Sequence, residues 1–205
     1  MSAPTLLSRR RLLQASAPIL LTAPGARALA APVLATAGPK SPLEVAKAAL
    51  GRLGDRVPQR DIVGVADFSL PSRTPRLHLV DLAGGAVETL LVAHGRGSDP
   101  GRTGWLSRFS NAPGSDCTSE GAFLTADEYV GAHGRSLRLA GLDTSNSNAQ
   151  ARAIVIHAAW YVGPDIVRSQ GMLGRSEGCF AVSEADLTRV LRQLAPGRLL
   201  VSAKV

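Results

Sequence analysis

Arg175-Ser176-Glu177-Gly178-Cys179-Phe180-Ala181 places a cysteine directly after a glycine, with polar residues before it. Glycine lets the backbone turn tightly without a Cβ clash, so Ser176 and Gly178 read as turn residues, and consecutive N–H groups there can face a developing oxyanion. The thiolate is the reactive form of cysteine, and Arg175 lies close enough in sequence to favour it. Ile154-Val155-Ile156-His157-Ala158 carries the second reactive group. On a strand His157 shares a face with Val155, at the point where apolar residues give way to small ones. A histidine there can take a thiol proton and later hand one to a leaving amine. Each piece alone is a weak signal, because Gly-Cys is a common pair and a lone strand histidine is more often bonded to a carbonyl in a core. Together they describe covalent acyl chemistry by a cysteine with a histidine base.

The elements that must position these groups are short. Leu43, Ala46, Ala49, Leu50 and Leu53 recur at helical spacing over Pro42 to Leu53, with Ser41 as N-cap and Gly54 as the stop. Strands then dominate: Ile62 to Ala66, Leu77 to Leu82 and Val87 to Ala93, the last two joined by the Ala83-Gly84-Gly85 turn. His94 to Gly121 is a long polar stretch without a period, and loops of that length in a compact domain usually serve function. Phe123 to Tyr129, Ser136 to Leu142, Ile154 to Tyr161 and Leu199 to Ala203 read as further strand pieces. Ser183-x-x-Asp186 opens an amphipathic helix over Ser183 to Leu194. Helices do not alternate with strands, so the pattern predicts a mainly-β sandwich or barrel with a few peripheral helices.

The His157 and Cys179 motifs are the last of six ordered blocks. The six are His94-Gly95-Arg96-Gly97-Ser98, Phe109-Ser110-Asn111, Ser119-Glu120-Gly121-Ala122-Phe123 and Tyr129-Val130-Gly131-Ala132-His133-Gly134-Arg135-Ser136-Leu137-Arg138-Leu139 with Gly141-Leu142 after it, then the two blocks ending at His157 and Cys179. In this order they resemble the murein L,D-transpeptidase catalytic domain family, cysteine enzymes of peptidoglycan, over roughly residues 60 to 205. The resemblance implies that His157 deprotonates Cys179, whose thiolate attacks the third-residue carbonyl of a tetrapeptide stem and releases D-alanine. An amine of a neighbouring stem then gives a 3–3 cross-link, or water gives L,D-carboxypeptidase activity, and no metal or organic cofactor is needed. The better-known branch of these enzymes has His before the Gly-Cys pair and Arg two residues after the cysteine, where this chain has Glu177 and Ala181. An acid pointing at the thiol would raise its pKa, so Glu177 is predicted to face solvent. His94, Arg96, Asn111 and Arg175 are the candidates to hold the stem's carboxylate in place of the missing Arg.

The N-terminus reads as a leader. Ser8-Arg9-Arg10-Arg11-Leu12-Leu13 precedes an apolar, acid-free stretch that ends at Ala28-Leu29-Ala30, the pattern of a secretory signal with a twin-arginine pair. Residues 1–30 are therefore predicted to be removed, 31–41 to be a flexible lead-in, and 42–205 to form one catalytic domain in the periplasm or cell envelope. Pro18 and Pro24 interrupt the stretch, so its apolar run falls far short of the roughly 20 residues of a spanning helix and no membrane anchor is predicted after cleavage. The formal charge of +7 belongs largely to the leader: residues 1–30 hold four arginines, leaving 19 basic against 16 acidic residues, about +3. Nucleic acid is not implied, the partners expected are peptidoglycan stem peptides, and the mature chain is predicted to be a monomer.

Other readings compete with this one. Two cysteines in an oxidising compartment normally suggest a disulfide, here Cys117 to Cys179, whereas the motif around Cys179 favours two free thiols. His78, His94, His133 and His157 lack the close pairing of a zinc site; His78 alternates with Leu77 and Leu79 and reads as the exposed face of a strand. Trp105, Trp160 and Tyr161 can line a glycan groove, yet aromatic residues beside strands are core residues more often than not. A non-catalytic exported wall-binding module and a cysteine hydrolase of other peptides are the alternatives of different class.

Overall fold

The computed structural model describes residues 40–205; the expected leader, and the expected lead-in up to residue 39, lie outside them. Eight strands make one mixed sheet: β1 (Ile62–Asp67), β2 (Leu77–Asp81), β3 (Val87–Leu90), β4 (Gly121–Gly131), β5 (Gly134–Gly141), β6 (Val155–Ala158), β7 (Phe180–Val182) and β8 (Leu199–Ala203). Three helices accompany it: α1 (Pro42–Leu53), α2 (Pro164–Gln170) and α3 (Glu184–Gln193). The spatial order is β3-β2-β1-β8-β4-β5-β6-β7. The sheet curls enough for Ala93, just past β3, to bridge Ala181 in β7 through a 2.9 Å N–H···O bond. The mainly-β architecture with few helices is as expected, in the form of one strongly curled sheet.

Strand alternation sorts the side chains onto two faces. The inner face gathers Phe68, Leu77, Leu79, Phe123, Leu137, Leu139, Ile156, Phe180 and Leu200, with Val190, Leu191 and Leu194 from the α3 segment packed among them. The outer face carries Val63, Val65, Val80, Ala122, Leu199 and Val201, covered by Ala46, Ala49, Leu50 and Leu53 of α1. The expected start of α1 is present as a complete capping box: Glu44 N–H donates to Ser41 Oγ, and Ser41 N–H to the Glu44 carboxylate at 2.7 Å.

Three expectations are revised. Phe123 to Tyr129 and Ser136 to Leu142 are halves of one long hairpin, β4–β5, with an irregularity between Thr125 and Glu128. The run from Ile154 ends as a strand at Ala158, because Gly163-Pro164 opens α2 shortly after. His78 is half-buried, its Nδ1 3.0 Å from Thr89 Oγ1 on the neighbouring strand. No described helix is long and apolar enough to cross a membrane.

Candidate active site

β6 and β7 run parallel with Ile156 opposite Phe180 and His157 opposite Ala181. Ile156 and Phe180 point into the inner core, where Phe180 meets Phe123 edge-on at 5.4 Å between ring centroids. Alternation therefore turns His157 and Ala181 to the outer face, and Cys179 is the residue just before β7. A pocket of about 500 Å³ opens there, and both His157 and Cys179 line it, with His133, Tyr161, Arg96, Arg152, Arg175 and Glu177 among the other walls.

The turn before Cys179 is held from within and from below. Ser176 Oγ accepts from Gly178 N–H at 3.1 Å and donates to Cys179 O at 2.7 Å. Gly178 has φ +118, and a Cβ there would stand 2.7 Å from Cys117 O and 2.9 Å from Ile154 Cδ1, so both conformation and space require glycine. The His94–Arg96 segment supports the turn from below: Ser176 N–H donates to His94 O at 3.0 Å, and Arg96 N–H to Ser176 O at 2.7 Å. A Cβ on Gly95 would lie 2.8 Å from Gly178 Cα, which explains the small residue after His94. The Gly178 N–H, expected as an oxyanion donor, is thus already bonded within the turn.

His157 is 3% exposed, and its Nδ1 lies 2.8 Å from Ala158 O. A carbonyl only accepts, so Nδ1 carries the proton and Nε2 offers a lone pair. Burial lowers the imidazole pKa, the Ala158 bond opposes this, and His133, stacked on the ring at 4.3 Å, lowers it further. Burial raises the Cys179 thiol; the Val155 N–H and Arg152 pull it down, and Glu177 adds to the rise. Both shifts favour the neutral forms, and the thiol's hydrogen bond goes to Ala153 O at 3.6 Å. Chemically, a neutral thiol and a neutral imidazole can react by general-base transfer during attack, without a standing thiolate–imidazolium pair.

The other predicted residues separate into those at the pocket and those away from it. Arg175 lines the pocket and donates to Asp99 O. Glu177 is exposed as expected, 70% at its side chain, and is held by Arg96 at 3.0 Å. His94 lies outside the pocket lining, 1% exposed, with Arg76 Nη2 2.7 Å from its Nδ1. Asn111 ties two loops, donating to Thr144 O and Ser147 Oγ and accepting from Asn148 N–H. Ala181, where the better-known branch has Arg, is fully buried among Ala93, Ala159, Val162 and Leu173, so no long side chain fits. Cys117 and Cys179 are both free thiols. Trp105 and Trp160 are 45% and 74% exposed, so neither is a core residue, while Tyr161 forms a wall of the pocket with its hydroxyl pKa pushed up to about 12 by burial. Sequence reasoning missed Arg152, which sits in a polar Gln150-Ala151-Arg152 run that reads as plain loop.

The model of the L,D-transpeptidase catalytic domain family matches residues 40–202. The chain belongs to this family. Solved structures similar to it include an L,D-transpeptidase from Mycobacterium smegmatis (16% identity, 69% of this chain and 58% of that one, TM-score 0.41). LdtMt1 in complex with imipenem matches at 18% identity over 69% of this chain and 58% of that one, TM-score 0.40. The helical cell shape determining protein Pgp2 from Campylobacter jejuni matches at 13% identity over 77% and 53%, TM-score 0.43. This chain thus spans less than two thirds of the length of each. No curated protein matches its sequence.

Proposed function

We propose that this L,D-transpeptidase-family chain is an exported peptidoglycan L,D-transpeptidase with Cys179 as nucleophile and His157 as base. The observation that carries the reading is that both side chains line one pocket beside the paired strands β6 and β7, with the His157 proton fixed on Nδ1. His157 Nε2 takes the thiol proton as Sγ attacks the third-residue carbonyl of a tetrapeptide stem. Charge develops on the carbonyl oxygen, for which the Cys179 N–H is the nearest proposed donor. The C–N bond to D-alanine breaks, and the departing nitrogen takes the proton from Nε2. The thioester is resolved by an amine, which yields its proton to His157 as the C–S bond breaks and the thiol is restored. Water in place of the amine gives a carboxypeptidase. Arg175, on the pocket wall without a carboxylate partner, is proposed to receive the stem's carboxylate. The leader is proposed to direct twin-arginine export, with a monomeric 42–205 domain working in the periplasm or cell envelope without a cofactor.

Intact-protein mass spectrometry tests this on mature, reduced protein incubated with a carbapenem and with tetrapeptide muropeptides. The expected result is a covalent adduct on Cys179 that is lost in Cys179→Ala, with D-alanine released from the tetrapeptides. The muropeptide products then separate cross-linking from trimming. A free Cys179 that forms no adduct and releases no D-alanine would leave a wall-binding module as the better account.

A further inference from the structure

Three arginines line the pocket, and their partners distinguish them. Arg96 is neutralised by Asp116 at 2.9 Å and Glu177 at 3.0 Å. Arg152 and Arg175 meet only neutral acceptors, and no carboxylate lies within ion-pair distance of either among the described residues. Arg152 is the more deeply engaged. Its Nη1 donates to Ser110 O at 2.8 Å and to Ser119 Oγ at 2.6 Å, and its Nη2 donates to Cys117 O. A Cβ built on Gly178 would lie 3.0 Å from Arg152 Nη2, so the guanidinium rests against the backbone of the residue before Cys179. Ala153, the residue after Arg152, holds φ +52 and presents the carbonyl that accepts from Cys179 Sγ. Left-handed backbone at an alanine costs about 1–2 kcal/mol, and here it belongs to the segment that brings both Arg152 and that carbonyl to the sulfur.

A half-buried guanidinium without a carboxylate partner carries an uncompensated charge, which a new anion beside it can meet. Burial lowers the Arg152 pKa, and the groups that counter this are Cys117, Cys179 and Asp116, in that order. Conversely, Arg152 is the cation that opposes the burial of the Cys179 thiol. We propose that Arg152 is the positioning cation of the nucleophile: it clamps the Ser110–Ser119 loop against the turn that carries Cys179 and stabilises the negative charge that forms on Sγ when His157 removes the proton. The assignment rests on Cys179 being the nucleophile and assigns a role to a residue that no sequence motif marked.

The test is alkylation of Cys179 by iodoacetamide without substrate, followed by peptide mapping so that Cys117 is scored separately. At pH 7.5, Arg152→Gln slows Cys179 alkylation about three- to tenfold and moves the midpoint of its pH profile upward. The slowing reflects a smaller thiolate fraction, partly offset by the higher nucleophilicity of a more basic thiol. Arg152→Lys, which keeps the charge while losing the fork, stays near the wild-type midpoint, as does Ser119→Ala, which removes one tether and no charge. Thermal melts establish that each variant is folded. A wild-type midpoint in Arg152→Gln, or a shift in Ser119→Ala as large as in Arg152→Gln, overturns the proposal. Should Arg152→Gln not fold, a raised midpoint in Arg152→Lys overturns it instead. Because no peptidoglycan is present, a negative result here leaves the transpeptidase reading standing, and a failed cross-linking assay leaves this result standing.

Discussion

The outer face of the sheet is closed in two different ways at its two ends. Over β1 and β8, α1 lays Ala46, Ala49, Leu50 and Leu53 onto Val63, Val65, Leu199 and Val201, an apolar contact that needs volume and periodicity alone. Each buried large aliphatic side chain there contributes about 1.5–3 kcal/mol. Over β6 and β7 the same face presents His157, Cys179 and, across β5, Ser136. Beneath them lie Ser98, Thr118, Ser119 and Ser176, all 5% exposed or less. Buried polar groups are tolerated when each finds a partner, and these do: Gly95 N–H meets Thr118 Oγ1 at 2.9 Å, Thr118 N–H meets Ser98 Oγ at 3.0 Å, and Ser119 Oγ meets Ser110 O at 2.9 Å. The α1 end is held by apolar volume, and the other end by hydrogen bonds that orient the residues lining the pocket.

His157→Ala separates the two ends most sharply. It removes the proposed base and is expected to slow acylation of Cys179 by about 10²–10⁴-fold, while the melting temperature moves less than in a core truncation under α1. Stopped-flow acylation by a carbapenem and calorimetry on the same sample measure both; unfolding with an unchanged acylation rate would erase the distinction. Leu50→Ala is the mirror image. Leu50 is 5% exposed in the α1 contact, and its truncation is expected to cost about 2–5 kcal/mol in a urea titration. Acylation by the folded fraction should stay within about twofold of wild type, since Leu50 touches nothing in the pocket. A tenfold loss would mean that α1 and the β6–β7 edge are coupled.

The same contrast explains what was legible in the sequence. α1 and α3 announce themselves through apolar spacing and capped starts at Ser41 and Ser183. α2 does not, because seven residues with no buried side chain leave no periodic signal. Cys179 and His157 stand out by motif, since tight turns and strand ends constrain neighbouring residues in the chain. Arg152, His94 and Asn111 could not be placed, because their roles come from partners far along the chain: Arg152 from Ser110, Cys117 and Ser119, His94 from Arg76, and Asn111 from Thr144 to Asn148. The β4–β5 hairpin outgrew its two predicted pieces for a like reason. Its outer part is held by cross-strand pairs, Arg135 to Glu128 at 2.8 Å and Arg138 over the Tyr129 ring at 4.0 Å, that alternation of apolar residues does not reveal.

His94 gives the polar end a dependence on pH of its own. Arg76 donates to its Nδ1, so the neutral ring carries its proton on Nε2, 3.6 Å from Asp99 Oδ2. A second proton would sit in a buried site beside a guanidinium. Burial first, then Arg76, with a smaller push from Arg175, bring the His94 pKa down to about 4, against an opposing pull from Asp99. The folded value thus lies below the ordinary value of about 6.5, and between the two the unfolded chain binds more protons. Stability is therefore complete above about pH 6.5 and falls as the pH drops toward 4, by on the order of 3 kcal/mol from His94. His78 and His157, also lowered by burial, act in the same direction. Urea unfolding at pH 7, 5.5 and 4.5 should show this loss in wild type and, unchanged in size, in Leu50→Ala. His94→Asn, whose side-chain oxygen can still accept from Arg76 but does not titrate, should flatten most of it. If His94→Asn keeps the wild-type loss, acid sensitivity arises elsewhere and the buried Arg76–His94 contact is only a packing feature of the segment beneath Cys179.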